Sequence, residues 1–175
     1  GPDGETLATN EDIAAGKAAF QRNGLMNQGS ILGNGAYFGA DYTADAQERL
    51  VTNMRVYVAR QRYGSAYEDL GDPERAAVDR VVADQLRDGT FGRTMRLTAA
   101  EAYAYEQVRE SYAERYHGGA PEAGIPQGFV ESETGARRFA DFALWTALFS
   151  TVDRPNAGHS FTNEWPYNPG AGNGP

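Results

Sequence analysis

The sequence predicts an all-α domain of about five helices with one minor extended element. Three observations carry that expectation. Four segments open on a helix-capping residue and continue with apolar residues at helical spacing. A fifth segment is apolar almost all round. Only one stretch, Thr90 to Leu97, shows the short-period pattern of a strand or small hairpin.

The first helix follows Thr9, with Asp12 three residues on as a near-miss of a capping box, and Ile13, Ala14, Lys17 and Phe20 define its face until Gly24. The second is expected to start at Thr43 as cap, with Asp45 near the positive end of the helix dipole. Leu50, Val51, Met54, Tyr57 and Val58 form its stripe, which ends near Gly64. The third has Asp72 as cap, Pro73 at the first helical position and Gly89 just past its end. Its buried face is Val78, Val81, Val82 and Leu86. Thr98 and Glu101 make a true capping box for the fourth, in which Tyr105, Val108, Tyr112 and Tyr116 recur before Gly118 and Gly119. The last helix spans Arg137 to Ser150 and is either the central buried helix or one whose second face meets a partner.

The totals exclude several function classes. A net charge of −8 over 175 residues with no basic run offers no footprint for nucleic acid and no lipid-binding segment. The chain has no cysteine, so disulfides, Cys-ligated zinc, iron–sulfur clusters and covalent c-type haem attachment are all excluded. No run approaches the roughly 20 apolar residues needed to cross a bilayer. Both ends are rich in Gly, Pro and Asn and read as flexible ends or linkers, residues 1–4 and 170–175, around a single domain.

Motifs for chemistry are thin. In "GNGAYFGADYTAD", Gly33 to Asp45, the third glycine comes one place late for a dinucleotide fingerprint and no βαβ pattern surrounds it. An ordinary glycine turn is the default reading from spacing, and a calcium held by backbone carbonyls leaves no sequence trace. His117 and His159 lack metal-ligand spacing, and no serine sits in a nucleophile elbow. No catalytic constellation stands out. Trp165, between polar residues and prolines, reads equally as an anchor on a rigid strut or as a ring folded back on its own core.

Four blocks in order, "ATNEDIAAGKAAFQRNG", "GLMNQGSILGNGAYFGADYTADA", "RRFADFALWTALFS" and "DRPNAGHSFTNEWPYNPGAGN", resemble the extracytoplasmic domain of quinol-dependent nitric oxide reductases, over residues 5–173. The resemblance implies a cytochrome c-like helical fold lacking haem, with no cofactor of its own, on the periplasmic side of the bacterial inner membrane. It implies as partner the transmembrane core of the same polypeptide, where b-type haems and a non-haem iron reduce two NO to N2O and water, and it admits a homodimer of the full enzyme. By the same resemblance Gly35 and Tyr37 are candidates for a backbone calcium site at the core interface. Gly33, Asn34, Gly39, Asp41 and Trp165 are candidates for docking, together with the last helix. The chain departs from the family at Asn34, where Gly-His-Gly-Ala-Tyr is common. A free-standing periplasmic binding module on the same scaffold is the alternative.

Overall fold

The computed structural model describes residues 1–36, 38–87 and 95–151. Among them five α-helices and one two-stranded hairpin are formed: α1 (Asn10–Arg22), β1 (Ser30–Ile31), β2 (Asn34–Gly35), α2 (Tyr42–Tyr63), α3 (Asp72–Arg87), α4 (Ala99–Ala113) and α5 (Glu133–Thr151). The all-α expectation holds, but the extended element lies at the glycine loop. Met95 to Leu97 form no strand, and the rest of the predicted extended stretch lies outside the described residues.

α1, α2, α4 and α5 start where a side chain satisfies free N–H groups; α3 instead begins at Asp72 itself, so that Gly71 and not Asp72 precedes it, with the Gly71 N–H on Glu74 Oε2 at 3.0 Å. At α1 the near-miss is a complete capping box: Thr9 Oγ1 accepts from Asp12 N–H and Asp12 accepts from Thr9 N–H at 3.0 Å. Aspartate is one methylene shorter than the usual glutamate and still reaches. The buried face of α1 is Gly16, Ala19 and Phe20, while Ala14 and Lys17 of the expected stripe are exposed. The predicted cap of α2 is corrected: Asp41, not Thr43, occupies that place, taking the N–H groups of Thr43 and Ala44 at 3.0 and 3.1 Å. A carboxylate next to the exposed N–H groups is favoured by their partial positive charge, and it frees the Thr43 hydroxyl for another partner. Gly64, with φ 67°, ends α2 in the left-handed conformation that glycine accepts without strain. The capping box of Thr98 and Glu101 is formed as expected.

α4 runs on into one π-helical turn, Glu114–Gly118, which turns Tyr116 inward. Its carbonyls are taken by the returning chain, Val130 N–H on Tyr116 O and Gly128 N–H on His117 O, both at 2.7 Å. His117 is half-buried and its Nδ1 lies 3.0 Å from Val130 O. The last helix starts four residues earlier than Arg137, because Ser132 Oγ takes the Gly135 N–H at 3.1 Å. Exposed Glu133 and Thr134 then form a polar first turn that an apolar pattern does not mark.

α5 is the central helix and packs on α1, α2 and α4, burying Ala136, Phe139, Ala140, Ala143, Leu144 and Ala147. At the α1–α5 crossing a Cβ on Gly16 would lie 1.8 Å from Arg138 O, so only glycine permits this approach. Phe20, Tyr42, Tyr112, Tyr116 and Phe139 close the interior, with neighbouring ring centres 5.0–6.0 Å apart, mostly edge to face. The Tyr42 hydroxyl donates to Leu25 O at 3.0 Å, and that of Tyr112 to Tyr42 O at 3.3 Å, so these two rings bring no orphaned polar groups inside. α3 puts Val78 and Val82 into the core against α2, and Arg55 of α2 on Asp79 at 2.7 Å ties it further out, with Tyr67 of the intervening turn on the same carboxylate at 3.0 Å.

Candidate functional site

The glycine-rich loop is a hairpin built against the start of α2. Ile31 pairs with Asn34 and Ser30 with Gly35, leaving Leu32 and Gly33 as a two-residue turn with φ 50° and 75°. Both positive φ values mark the turn class whose twist suits a hairpin. Asn34-Gly35 is the dipeptide that short-range rules favour at such a turn, yet it forms β2. The reason lies eight residues on. Asp41 Oδ2 takes the Gly33 N–H and the Ser30 hydroxyl, each at 2.7 Å, while Oδ1 caps α2. One carboxylate therefore fixes the turn and the helix start together.

A second chain of bonds runs from the turn to the central helix. Leu32 N–H donates to Thr43 Oγ1 at 3.1 Å, and Thr43 and Thr146 hydroxyls lie 2.9 Å apart. Thr146 donates to Ala143 O at 2.7 Å, so its oxygen is left to accept the Thr43 proton. Both threonines are buried. The left-handed backbone at Leu32, which costs an L-residue roughly 1–2 kcal/mol, is thus held by bonds from both turn residues.

Two glycines fix the rest of the loop by closeness. A Cβ on Gly35, at φ 145°, would lie 2.4 Å from Gly29 O, and one on Gly39 would lie 1.9 Å from Gln28 O. Ser30 N–H reaches Ala40 O at 3.2 Å, and Ala36 N–H is shared between Met26 O and Gly29 O at 3.0 and 3.2 Å. Gly33, Asn34 and Gly39 are exposed, Gly35 and Asp41 half-buried, and all five meet in this one loop. Tyr37 and Trp165 lie outside the described residues. The loop also carries Phe38, 96 % exposed, with Met26 and Leu32 at 48 % and 38 %. Exposure of this kind has no periodic signal and could not be found from spacing.

Partial burial raises the Asp41 carboxyl, but hydrogen bonds from Ser30, Gly33, Ala44 and Thr43 outweigh it and hold the group below the usual aspartate range. All four acceptor directions of this carboxylate are then in use. A calcium ion asks for six to eight oxygens. In the alternation of the hairpin, Ser30 and Gly35 form the pair whose backbone groups turn away from each other, so Gly35 offers one outward carbonyl. Among the described residues no three His, Asp or Glu side chains come together to hold a metal. The Asp41 carboxylate is therefore not free to ligate a calcium, and the Gly35 carbonyl alone does not complete a site. With no cysteine, the chain also has no means of covalent haem attachment.

A second feature is the carboxylate of Asp141 on α5, fully buried between α4 and α1. Tyr105 donates to its Oδ1 at 2.9 Å and Arg109 Nε stands 3.2 Å away, while Oδ2 has no partner. Burial pushes this carboxyl up, against the pull of Arg109 and Tyr105, to a pKa of about 6. One and two turns further along α5, Trp145 and Leu148 line a cavity of about 440 Å³ with Ile13, Tyr105, Met95 and Leu97. Residues 1–8 cover one side of it, and Arg109 donates to Leu7 O at 3.4 Å.

Among the described residues no helix is long and apolar enough to cross a membrane. A family model for the cytochrome c-like domain of the nitric oxide reductase polypeptide NorB matches residues 1–167. No curated protein matches the chain.

Proposed function

The chain belongs to the NorB cytochrome c-like domain family of nitric oxide reductases, and from that premise we propose that it is a haem-free, non-catalytic cap. In this reading it sits on the periplasmic side of the inner membrane and docks on the transmembrane core of the same polypeptide. The core would supply the b-type haems and non-haem iron at which NO is reduced. This chain's own residues bind and orient.

The observation that carries the reading is the rigidity of an exposed loop. A hairpin that serves only to connect α1 to α2 has no need of a saturated carboxylate, a buried threonine relay and two positions without room for a Cβ. Such pre-organisation is what lowers the entropic cost of binding a fixed surface. Gly33, Asn34, Gly35, Gly39 and Asp41 form the docking element, and Trp165 and Tyr37 are assigned to docking by the sequence resemblance alone. A calcium shared between the Gly35 carbonyl and oxygens of the core is compatible with this arrangement, and no step depends on it.

Gly35→Val in the full-length polypeptide is expected to lower NO reduction by about ten-fold or more, equivalent to ~1.4 kcal/mol of docking energy. The 175-residue chain carrying the same change should keep its far-UV circular dichroism. Unchanged turnover would count against docking through this loop.

The cavity beside Trp145 favours a second reading, a free-standing module that binds a small apolar ligand. Its volume falls within the range of small-molecule sites, and its walls are mainly apolar. A naphthol titration followed by Trp145 fluorescence, with Trp165→Phe to remove the second indole, tests it. Saturable quenching would favour the module, and a flat response would dismiss it.

A further inference from the structure

We infer that Phe38, on the loop that also exposes Leu32 and Met26, is an apolar anchor that seats in an apolar pocket on the membrane core of the same polypeptide; the inference rests on the docking reading above. Among the described residues the exposed large apolar side chains are these three and Trp145. Three of the four therefore belong to one short loop. Phe38 touches almost nothing of its own chain, being 96 % exposed.

The neighbours of this ring are fixed. Ala36, two residues before it, is tied to Met26 O and Gly29 O, and Gly39, directly after it, lies against Gln28. Leu32 is held outward in a left-handed backbone by Thr43. A leucine keeps that conformation at a cost, in a turn where Asn or Gly would be relaxed. The strain is compensated by the threonine relay, and its result is a further exposed apolar side chain on the same loop.

The chemistry of the loop selects the partner. Asp41 is its only carboxylate between Gly24 and Tyr42, and both oxygens are used internally. Asn34 turns its amide back on Leu32 O at 3.2 Å. The outward face thus offers apolar groups and no free charge, which matches an apolar surface. A lipid surface is the other apolar partner, but it accepts a mobile tip and asks for no fixed backbone. The chain's net charge of −8 also gives no attraction to anionic headgroups. A ring carried between held stretches of backbone fits a pocket of defined shape.

The test places a photo-cross-linking side chain at position 34 of the full-length polypeptide in its membrane and compares the native loop with Phe38→Ser, Phe38→Leu and Gly35→Val. Phe38→Ser should cut the cross-link to the membrane segments by roughly ten-fold to a hundred-fold, and Phe38→Leu should keep most of it. Because Phe38 packs on nothing, the thermal melt of the 175-residue chain should not move with either change. Full cross-linking in Phe38→Ser, with loss in Gly35→Val, would overturn the anchor and leave docking in place. No change in any variant would overturn both. Co-flotation of the 175-residue chain with phosphatidylcholine vesicles, lost in Phe38→Ser, would assign the tip to lipid and overturn the pocket.

Discussion

Two aspartates do opposite work, and pH separates them. Asp41 is held below its usual range by four donors, so it contributes stability above the unfolded pKa that is lost as pH falls through the folded value. Asp141 is raised from 3.8 to about 6, so the folded state binds its proton more tightly than the unfolded chain does. Its contribution is most favourable below about pH 4 and is lost as pH rises through 6. The loss is about 3 kcal/mol by linkage. Relative to native, Asp141→Asn is therefore expected to gain about 2 kcal/mol between pH 4 and pH 7.5, read by urea unfolding at both values. A difference that does not vary with pH would mean that Asp141 is not the group that titrates. Asp41→Ala should instead destabilise by about 2 kcal/mol at pH 7, since it removes charge-assisted bonds and a helix cap together. Neither role is legible in the sequence. Asp41 lies at a helical spacing from Asp45 that accounts for it by dipole complementarity, and Asp141 is one polar letter in an apolar helix.

The helices are legible wherever a cap and a stripe coincide. Thr98 with Glu101 and the tyrosines of α4 stand where spacing puts them. α1 shows the limit: its contact with α5 is centred on Gly16, which a search for apolar side chains passes over, and so spacing puts Lys17 on the wrong face. Gly16→Ala is expected to destabilise the chain by about 3 kcal/mol through overpacking, although alanine is the better helix former. Lys17→Ala, on the exposed face, should stay within about 0.5 kcal/mol. Similar melting temperatures for the two variants would contradict the packing assigned to this crossing. The hairpin escapes a reading by spacing for a different reason. Its register is set by Asp41 and Thr43, partners eight and eleven residues away from the turn, and not by the turn's own dipeptides.

At the scale of the whole molecule, composition and the four sequence blocks are sufficient for the fold class and the family, which the match over residues 1–167 carries. They are not sufficient for the way the loop is held, which depends on a hydroxyl contact between residues 103 apart. Removing it by Thr146→Val should leave the helices intact, weaken the hairpin and lower docking. Amide exchange at Leu32 and Gly33, measured in the 175-residue chain, is expected to quicken by about ten-fold, corresponding to ~1.4 kcal/mol. The central claim is that this hairpin faces the membrane core, and a photo-cross-linker at the exposed position 34 of the full-length polypeptide tests it most directly. Cross-links that map to the membrane segments are the predicted result. Cross-links confined to this domain, or solvent quenching alone, would contradict it.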